Sequence, residues 1–389
     1  MKDHLENHMT QDFSRHNAEV RQVWESYRAG RPWRVPMVLT SVARIWVLDP
    51  TLNHAGISWK EYLNDPDLMF DISLKHQYYV SHNIPQDAEM GIPDEGWKIH
   101  TEFGNVYEEA WFGCEIVYPE GQIAATLPFC NGERKEGVFE KGMPAPFSGF
   151  IGKMLEYYQY FCRRAEGFEF HGRPIQIEYP TALGSDGPLT IANGIRGSKI
   201  FEDMLNDEDY YHRLMSFITE AVITRILAWR ERLGLDMRPA CGGLAVDAIQ
   251  FISTRAYRDK VLPYHKRFFE ALYGPGPHSM HLCGNVQRHF PTLIKELNVR
   301  SFDTGYPIDF TTLRDDIGEG VEIQGGVKVS DLLMGTPESV SDLTRTILES
   351  GIMRGGKFII KEANDLAPGV PLANMQAMYA AVKKYGIYS

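Results

Sequence analysis

Nowhere in its 389 residues does the sequence carry the run of roughly 18 apolar residues that a membrane-spanning helix needs. That absence excludes a helical membrane span. Cysteine is scarce: Cys114, Cys130, Cys162, Cys241 and Cys283 make an odd count of 5 with no repeated spacing, which argues against a disulfide scaffold. A reducing, cytoplasmic setting is the default for such a chain. The N-terminal stretch MKDHLENHMTQDFSRH is polar and lacks the apolar core of a secretory signal. Positive charge is also short. The formal net charge is −11, and no Lys/Arg cluster of the kind a nucleic-acid-binding surface needs is present. A local basic pocket for an acidic substrate remains compatible with that balance. No glycine-rich dinucleotide loop follows the first predicted strand.

What is there suits a large globular enzyme. Hydrophobic residues make up 43% and charged residues 23%, enough for a sizeable core and too apolar for disorder. The length fits an α/β barrel with added helices. Residues 13–29 predict a helix, with Val20, Val23, Trp24 and Tyr27 at helical spacing. The Arg31-Pro32-Trp33 break precedes a buried strand at 35–40 (VPMVLT), and residues 59–81 predict helix. From 84 to 147 short alternating runs rich in Gly and Pro suggest an inserted cap or small β subdomain, with WFGCEIVY as a strand. Helix returns at 148–166. Beyond that, strands at 175–180, 243–249, 278–284, 299–305, 321–327 and 357–363 alternate with helices. Such alternation with short links implies a parallel sheet with right-handed crossovers. The number of units favours a single (β/α)₈ TIM-barrel domain over 1–389, with N-terminal helices and the insertion at 84–147.

The strongest local chemical signal is His281-Leu282-Cys283-Gly284 at the end of a predicted strand. Side chains two apart on a strand share a face, so an imidazole and a thiol converge there. Zinc accepts that pair. Taken alone, the pair is more often a buried structural cysteine beside a hydrogen-bonded histidine, and its place at a strand end shifts the balance toward a site. Other strand ends carry Tyr179, Asp247, Asp303, Gln324, Lys361 and Glu362. In parallel barrels this is where catalytic groups sit, although internal hydrogen bonds closing the barrel top would use the same residues. The run 184–190 (GSDGPLT) lies between a strand and a helix. Asp186 or Thr190 there can cap the helix, or the free helix N-terminus can take a carboxylate or phosphate.

Several segments together resemble the uroporphyrinogen decarboxylase superfamily: GSDGPLTIANGIRG at 184–197, VLPYHKRFFEAL at 261–272, HLCGN at 281–285, VEIQGGVKVSDLLMGTPESV at 321–340, and NMQAMYAAVKKYG near the C-terminus. The similarity covers roughly residues 170–389 well and the N-terminal part loosely. It implies one of two activities. Porphyrinogen decarboxylases use neither metal nor cofactor and hold a polycarboxylate with N-terminal arginines and an aspartate. Cobamide-dependent methyltransferases use zinc on a His-x-Cys pair and a later Cys, and pass a methyl group to or from a corrinoid protein.

His281 and Cys283 match the zinc pair of the methyltransferase branch. The later Cys is missing from KEANDLAPGVPLAN. Asn364 falls at the expected place, flanked by Glu362 and Asp365. Glu362 is the preferred third ligand, because a carboxylate offsets the charge of Zn²⁺ and an amide does not. With one thiolate instead of two, such a zinc is a better Lewis acid and suits an ether or phenol oxygen. The resemblance therefore implies a zinc-dependent methyltransferase acting with a corrinoid protein on a small methylated substrate, with O-demethylation of a methoxyaromatic as one form. Asp247 and Tyr179 would be catalytic, and Asp186, Gln324 and Asp303 would contact substrate. Trp33, Trp46 and Trp111 could stack on an aromatic ring. The first rival is a metal-free decarboxylase of a porphyrinogen or other polycarboxylate, which requires several arginines in the pocket where the sequence offers Arg31, Arg34 and Arg44. The second is a non-enzymatic tetrapyrrole-binding barrel, which requires a wide pocket without an organised ligand set.

Overall fold

The computed structural model describes residues 12–388. Most of the polar N-terminal stretch weighed as a signal segment lies outside them. The architecture is α/β. Strands β6 (Gly243–Ala245), β7 (His278–Leu282), β8 (Val299–Thr304), β9 (Glu322–Val327) and β10 (Phe358–Glu362) form one five-stranded sheet in the order β10-β9-β8-β7-β6. All four of its pairings are parallel. Every residue of β10 is buried, as expected for a parallel strand covered on both faces. A second sheet pairs β1 (Trp97–Ile99) parallel to β5 (Arg173–Ile177), with β4 (Glu169–Phe170) antiparallel on its far side. A separate antiparallel hairpin joins β2 (Glu115–Val117) to β3 (Ala125–Leu127). Among the described residues no helix is long and apolar enough to cross a membrane.

The expected strand at 35–40 is extended, but it makes only a single parallel bridge, Met37 to Ile360. Val38 N donates to Ile360 O at 3.1 Å, and Ile360 N donates to Pro36 O at 2.9 Å. Its other edge is taken by Gln86 and Asp87, mostly through their side chains, with the Asp87 amide donating to Met37 O at 2.7 Å. Met37 N donates to Asp87 Oδ2 (2.7 Å) and Leu39 N donates to Gln86 Oε1 (2.8 Å). Pro36 has no N–H to give. On the opposite side of the five-stranded sheet, Ala245 N donates to Ser185 O at 3.1 Å. The two parallel ladders are thus linked through backbone and side-chain contacts, not through one unbroken ring of strand pairs.

Several predicted elements are shorter than expected, for local reasons. The helix at 59–81 is two helices, Trp59–Asn64 and Pro66–Asn83. Asp65 is extended between them, and its carboxylate accepts from Asp67 N and Leu68 N, so a cap interrupts the helical spacing. WFGCEIVY is not one strand. Trp111 and Phe112 end the helix Tyr107–Phe112, Gly113 stops it at φ +108°, and only Glu115–Val117 is extended. The strand expected at 243–249 ends at Ala245, because a 3₁₀ turn begins at Asp247.

One buried ion pair ties the N- and C-terminal helices to this frame. Arg34 and Asp87 meet in a fork at 2.7 and 2.6 Å with both side chains fully buried. Tyr379 on the helix Leu372–Tyr385 donates to Asp87 Oδ1 at 2.9 Å. Glu19 on the helix Ser14–Arg28 accepts from Arg34 at 3.0 Å. Removing Asp87 leaves the buried Arg34 with only the part-exposed Glu19 as counter-charge, so Asp87→Ala is expected to cost about 3 kcal/mol. The exposed Arg21–Glu89 pair serves as the control, with a cost within about 1 kcal/mol for Glu89→Ala. Urea unfolding measures both. Equal midpoints for the two variants would show that the clamp does not hold the termini.

Candidate metal centre and cavity

β7 delivers His281, and the turn after it delivers Cys283. The alternation along β7 places His281 on the half-exposed, inward side. Its Nδ1 lies 2.8 Å from Asp303 Oδ2 on β8, and its Nε2 lies 3.3 Å from Cys283 Sγ. A carboxylate on Nδ1 fixes the tautomer that leaves Nε2 to act as ligand. Asp303 is itself held by the buried Lys361 of β10, with Nζ 2.9 Å from Oδ1. Burial raises the Asp303 carboxyl, but His281 and Lys361 outweigh it and hold the group below the usual aspartate range. Burial opposes protonation of His281, yet Asp303 and the thiol push its imidazole up to about 11.

The third member of the group is Asp247, at the start of the 3₁₀ turn after β6. Its Oδ1 accepts from Cys283 N at 2.7 Å. One donor atom each from Asp247, His281 and Cys283 lies within 4.8 Å of the others. Imidazole nitrogen, thiol sulfur and carboxylate oxygen with a carboxylate behind the imidazole form a donor set suited to zinc. The group lines a cavity of about 820 Å³, which Asp186, Asp303 and Gln324 also line. Gln324 Nε2 donates to Glu322 Oε1 at 3.1 Å.

Two expected site residues are not brought here. Tyr179 follows the end of β5, is 56% exposed, and is absent from the cavity wall. Glu362, expected as the third ligand, is fully buried, and its carboxylate accepts from Thr40 N at 3.2 Å. Lys361, its neighbour on β10, has its Nζ 3.8 Å from Glu362 Oε1, and neither residue lines the cavity. The lysine turns to Asp303 and the glutamate to the 35–40 segment. Of the alternatives, Asn364 and Asp365 line the cavity, with Asp365 3.4 Å from Arg44. Trp33, Trp46 and Trp111 do not line it; Trp59 and Tyr107 do.

The turn at 184–187 differs from a capped helix start. The cap of the helix Pro188–Arg196 is Gly187, at φ +79°, with no side-chain cap bond. A Cβ at Gly187 would lie 2.8 Å from Ala245 O, so only glycine lets this turn pack against β6. Thr190 Oγ1 instead accepts from Ala248 N at 3.3 Å. Behind the turn sits a pair not foreseen in the sequence. Glu108 and Arg225 are both fully buried, 2.7 Å apart. Glu108 Oε2 accepts from Asp186 N (2.7 Å), and Arg225 Nη2 donates to Gly184 O (2.6 Å). Burial, then Glu108 and Asp247, push the Asp186 carboxyl up to about 7. The available signal was YEEAWF at 107–112, two adjacent acids in an otherwise aromatic, buried segment.

The sequence model of the uroporphyrinogen decarboxylase (URO-D) family matches residues 171–385, more than half of the chain, and the chain belongs to that family. Among curated proteins, it is similar to methylcobamide:CoM methyltransferases of Methanosarcina acetivorans and Methanosarcina mazei, each 23% identical over 209 residues. Those alignments cover 54% of this chain and 59% of each relative, so a large part of each relative's length is unmatched. A solved structure described as a methyltransferase from Methanosarcina mazei superposes with a TM-score of 0.64 at 18% identity, covering 94% of this chain and 98% of that one. At that identity the likeness speaks for the fold.

Glu362 offers a test of its structural placement. Burial pushes its carboxyl up to about 8, against the opposing pull of Lys361 and the Thr40 amide. Once unfolded, the group ionises near its ordinary value of 4.5. The native state therefore binds more protons across that window, and stability is lost as pH rises from about 4.5 to about 8. Glu362→Gln removes this loss, so the variant should gain on the parent by on the order of 1–3 kcal/mol between pH 5 and pH 8. Urea unfolding at the two pH values reads the difference. Parallel pH dependence of the two proteins would show that the carboxyl is ionised in the fold.

Proposed function

We propose that the chain is a cytoplasmic, zinc-dependent methyltransferase that moves a methyl group between a small methylated substrate and a corrinoid protein. In this proposal it is one (β/α)₈ barrel over 1–389, with an inserted cap within 84–147 centred on the β2–β3 hairpin. The observation that carries the reading is the convergence of His281, Cys283 and Asp247 in one cavity, with Asp303 behind the imidazole. Those three residues would hold the ion, with Asp247 in the place first given to Glu362. Zinc, when bound, supplies Lewis acidity to a substrate heteroatom.

The remaining work falls to the chain's own side chains. Asp303 keeps the proton on His281 Nδ1, and Lys361 keeps Asp303 from turning away. Gln324 and Asp186 face the substrate space, and Trp59 and Tyr107 supply apolar wall. A single thiolate beside imidazole and carboxylate favours an oxygen substrate over a soft thiol, so O-demethylation, with a methoxyaromatic as one candidate, is the preferred direction. The corrinoid partner would dock over the strand ends, where the cavity opens. A polycarboxylate decarboxylase is the weaker reading. Arg44 is the one arginine on the cavity wall, and it faces Asp365, while Arg34 is committed to Asp87.

Elemental analysis of purified protein tests the proposal, with one zinc per chain expected. Cys283→Ala and Asp247→Asn should each lose stoichiometric metal, Asp303→Asn should weaken binding by roughly 10–100-fold, and Glu362→Gln should retain it. Zinc lost from the Glu362 variant and kept by the Asp247 variant would return the third position to the glutamate. A parent protein without metal after expression in zinc-supplemented medium would overturn the reading.

A further inference from the structure

The cavity wall next to the metal cluster is built for a ligand of one sign. Asp186 reaches it from a turn gripped at two points. Arg225 holds the carbonyl of Gly184, and Glu108 holds the amide of Asp186, while Arg225 and Glu108 hold each other with both side chains fully buried. The side chain between those grips is left free. Among the described residues, the Asp186 carboxylate has no hydrogen bond and no ion pair, and it lines the cavity. Its surroundings deepen the negative potential. Asp247 stands in the same wall. Of the nearby cationic groups, Arg225 is already matched to Glu108 and His281 to Asp303. Even a divalent ion on Asp247, His281 and a Cys283 thiolate would leave this end of the cavity with an excess of negative charge.

We infer that Asp186 is the anchor for a positively charged, ammonium-type group on the substrate, and that the Glu108–Arg225 pair positions it for that task. The inference rests on the methyltransferase reading only for which cavity binds substrate. Like charges at short range in a partly desolvated site repel strongly, so an anionic substituent such as a carboxylate is disfavoured at this end. A cation completes a carboxylate in the wall to which the fold gives neither a hydrogen bond nor an ion pair. The aromatic faces of Trp59 and Tyr107 on the same cavity are compatible with a cation.

Three probes of one shape and different charge test this: 4-methoxybenzylammonium, 4-methoxybenzyl alcohol and 4-methoxybenzoate. Each is titrated calorimetrically into zinc-supplemented protein at pH 8, above the range to which burial pushes the Asp186 carboxyl. The ammonium should bind at least about tenfold more tightly than the alcohol, and the benzoate most weakly. Asp186→Asn preserves the shape and the backbone amide that Glu108 holds. It should bring the ammonium to the affinity of the alcohol and leave the alcohol unchanged, at unaltered melting temperature. The inference falls if the ammonium shows no binding, if the alcohol or benzoate binds as tightly, or if Asp186→Asn keeps the preference for the cation. Stoichiometric zinc without any charge preference would sink this inference and leave the methyltransferase reading standing. A charge preference in a protein that holds no zinc would do the reverse.

Discussion

A buried lysine decides how the candidate centre is organised. Lys361 stands on β10 with almost no exposure, and it extends across the sheet to Asp303 on β8. A lone ammonium there would be costly to bury. The carboxylate neutralises it, and the same carboxylate accepts a hydrogen bond from Nδ1 of His281 on β7. Three strands of one parallel sheet are thereby joined at their ends by a relay of charge-assisted contacts. The outcome is directional: Nε2 of His281 is left facing Cys283. Without the lysine, Asp303 would lose the contact that fixes its second oxygen, and the orientation and tautomer of the imidazole would be less tightly held.

The neighbouring residue shows the same principle from the other side. Glu362 follows Lys361 in sequence, yet it serves the frame. The 35–40 segment lies along β10 with too few strand-type hydrogen bonds to be a full strand, since Asp87 and Gln86 occupy its other edge. The amide of Thr40 then needs an acceptor, and Glu362 provides it. The Arg34–Asp87 fork and the candidate centre are therefore coupled through backbone. One clamp sets where the first segment runs, and that path removes a carboxylate from the pool of potential ligands.

Much of this was legible from sequence where a residue's role is local. The β-α alternation after residue 170, the convergence of His281 and Cys283 at the end of β7, and the strand-end position of Asp303 follow from period-2 geometry and short links, whereas Gln324, read as a strand end, stands in the middle of β9. What could not be read depends on partners far away in sequence. Tyr179 lies beyond the end of its strand, so alternation no longer governs where it points. Assigning Glu362 required knowing that Thr40, 322 residues away, lacks an acceptor. Asp247 was read as catalytic and not as a metal neighbour, because the strand carrying it stops at Ala245 and the chain turns. Glu108 and Arg225 escaped because their meaning is joint: each alone resembles an ordinary helical charge, and only the fold buries both together.

The family's fold accommodates both decarboxylation and methyl transfer, so the choice between them must come from the site. A polycarboxylate substrate requires cations in the wall that are not already spent. Here the internal arginines are spent on structure: Arg34 on Asp87, Arg225 on Glu108, Arg196 on Asp203, and Arg314 on backbone carbonyls. The wall instead exposes carboxylates, one of them with no internal partner. A site with surplus negative charge and a cluster of nitrogen, sulfur and oxygen donors attracts cations twice over, as a metal and as a charged substrate group. The donor cluster and the free carboxylate line one cavity. A substrate anchored by its charge at Asp186 would therefore extend its other end toward the metal, which is the geometry a group transfer at a single heteroatom requires.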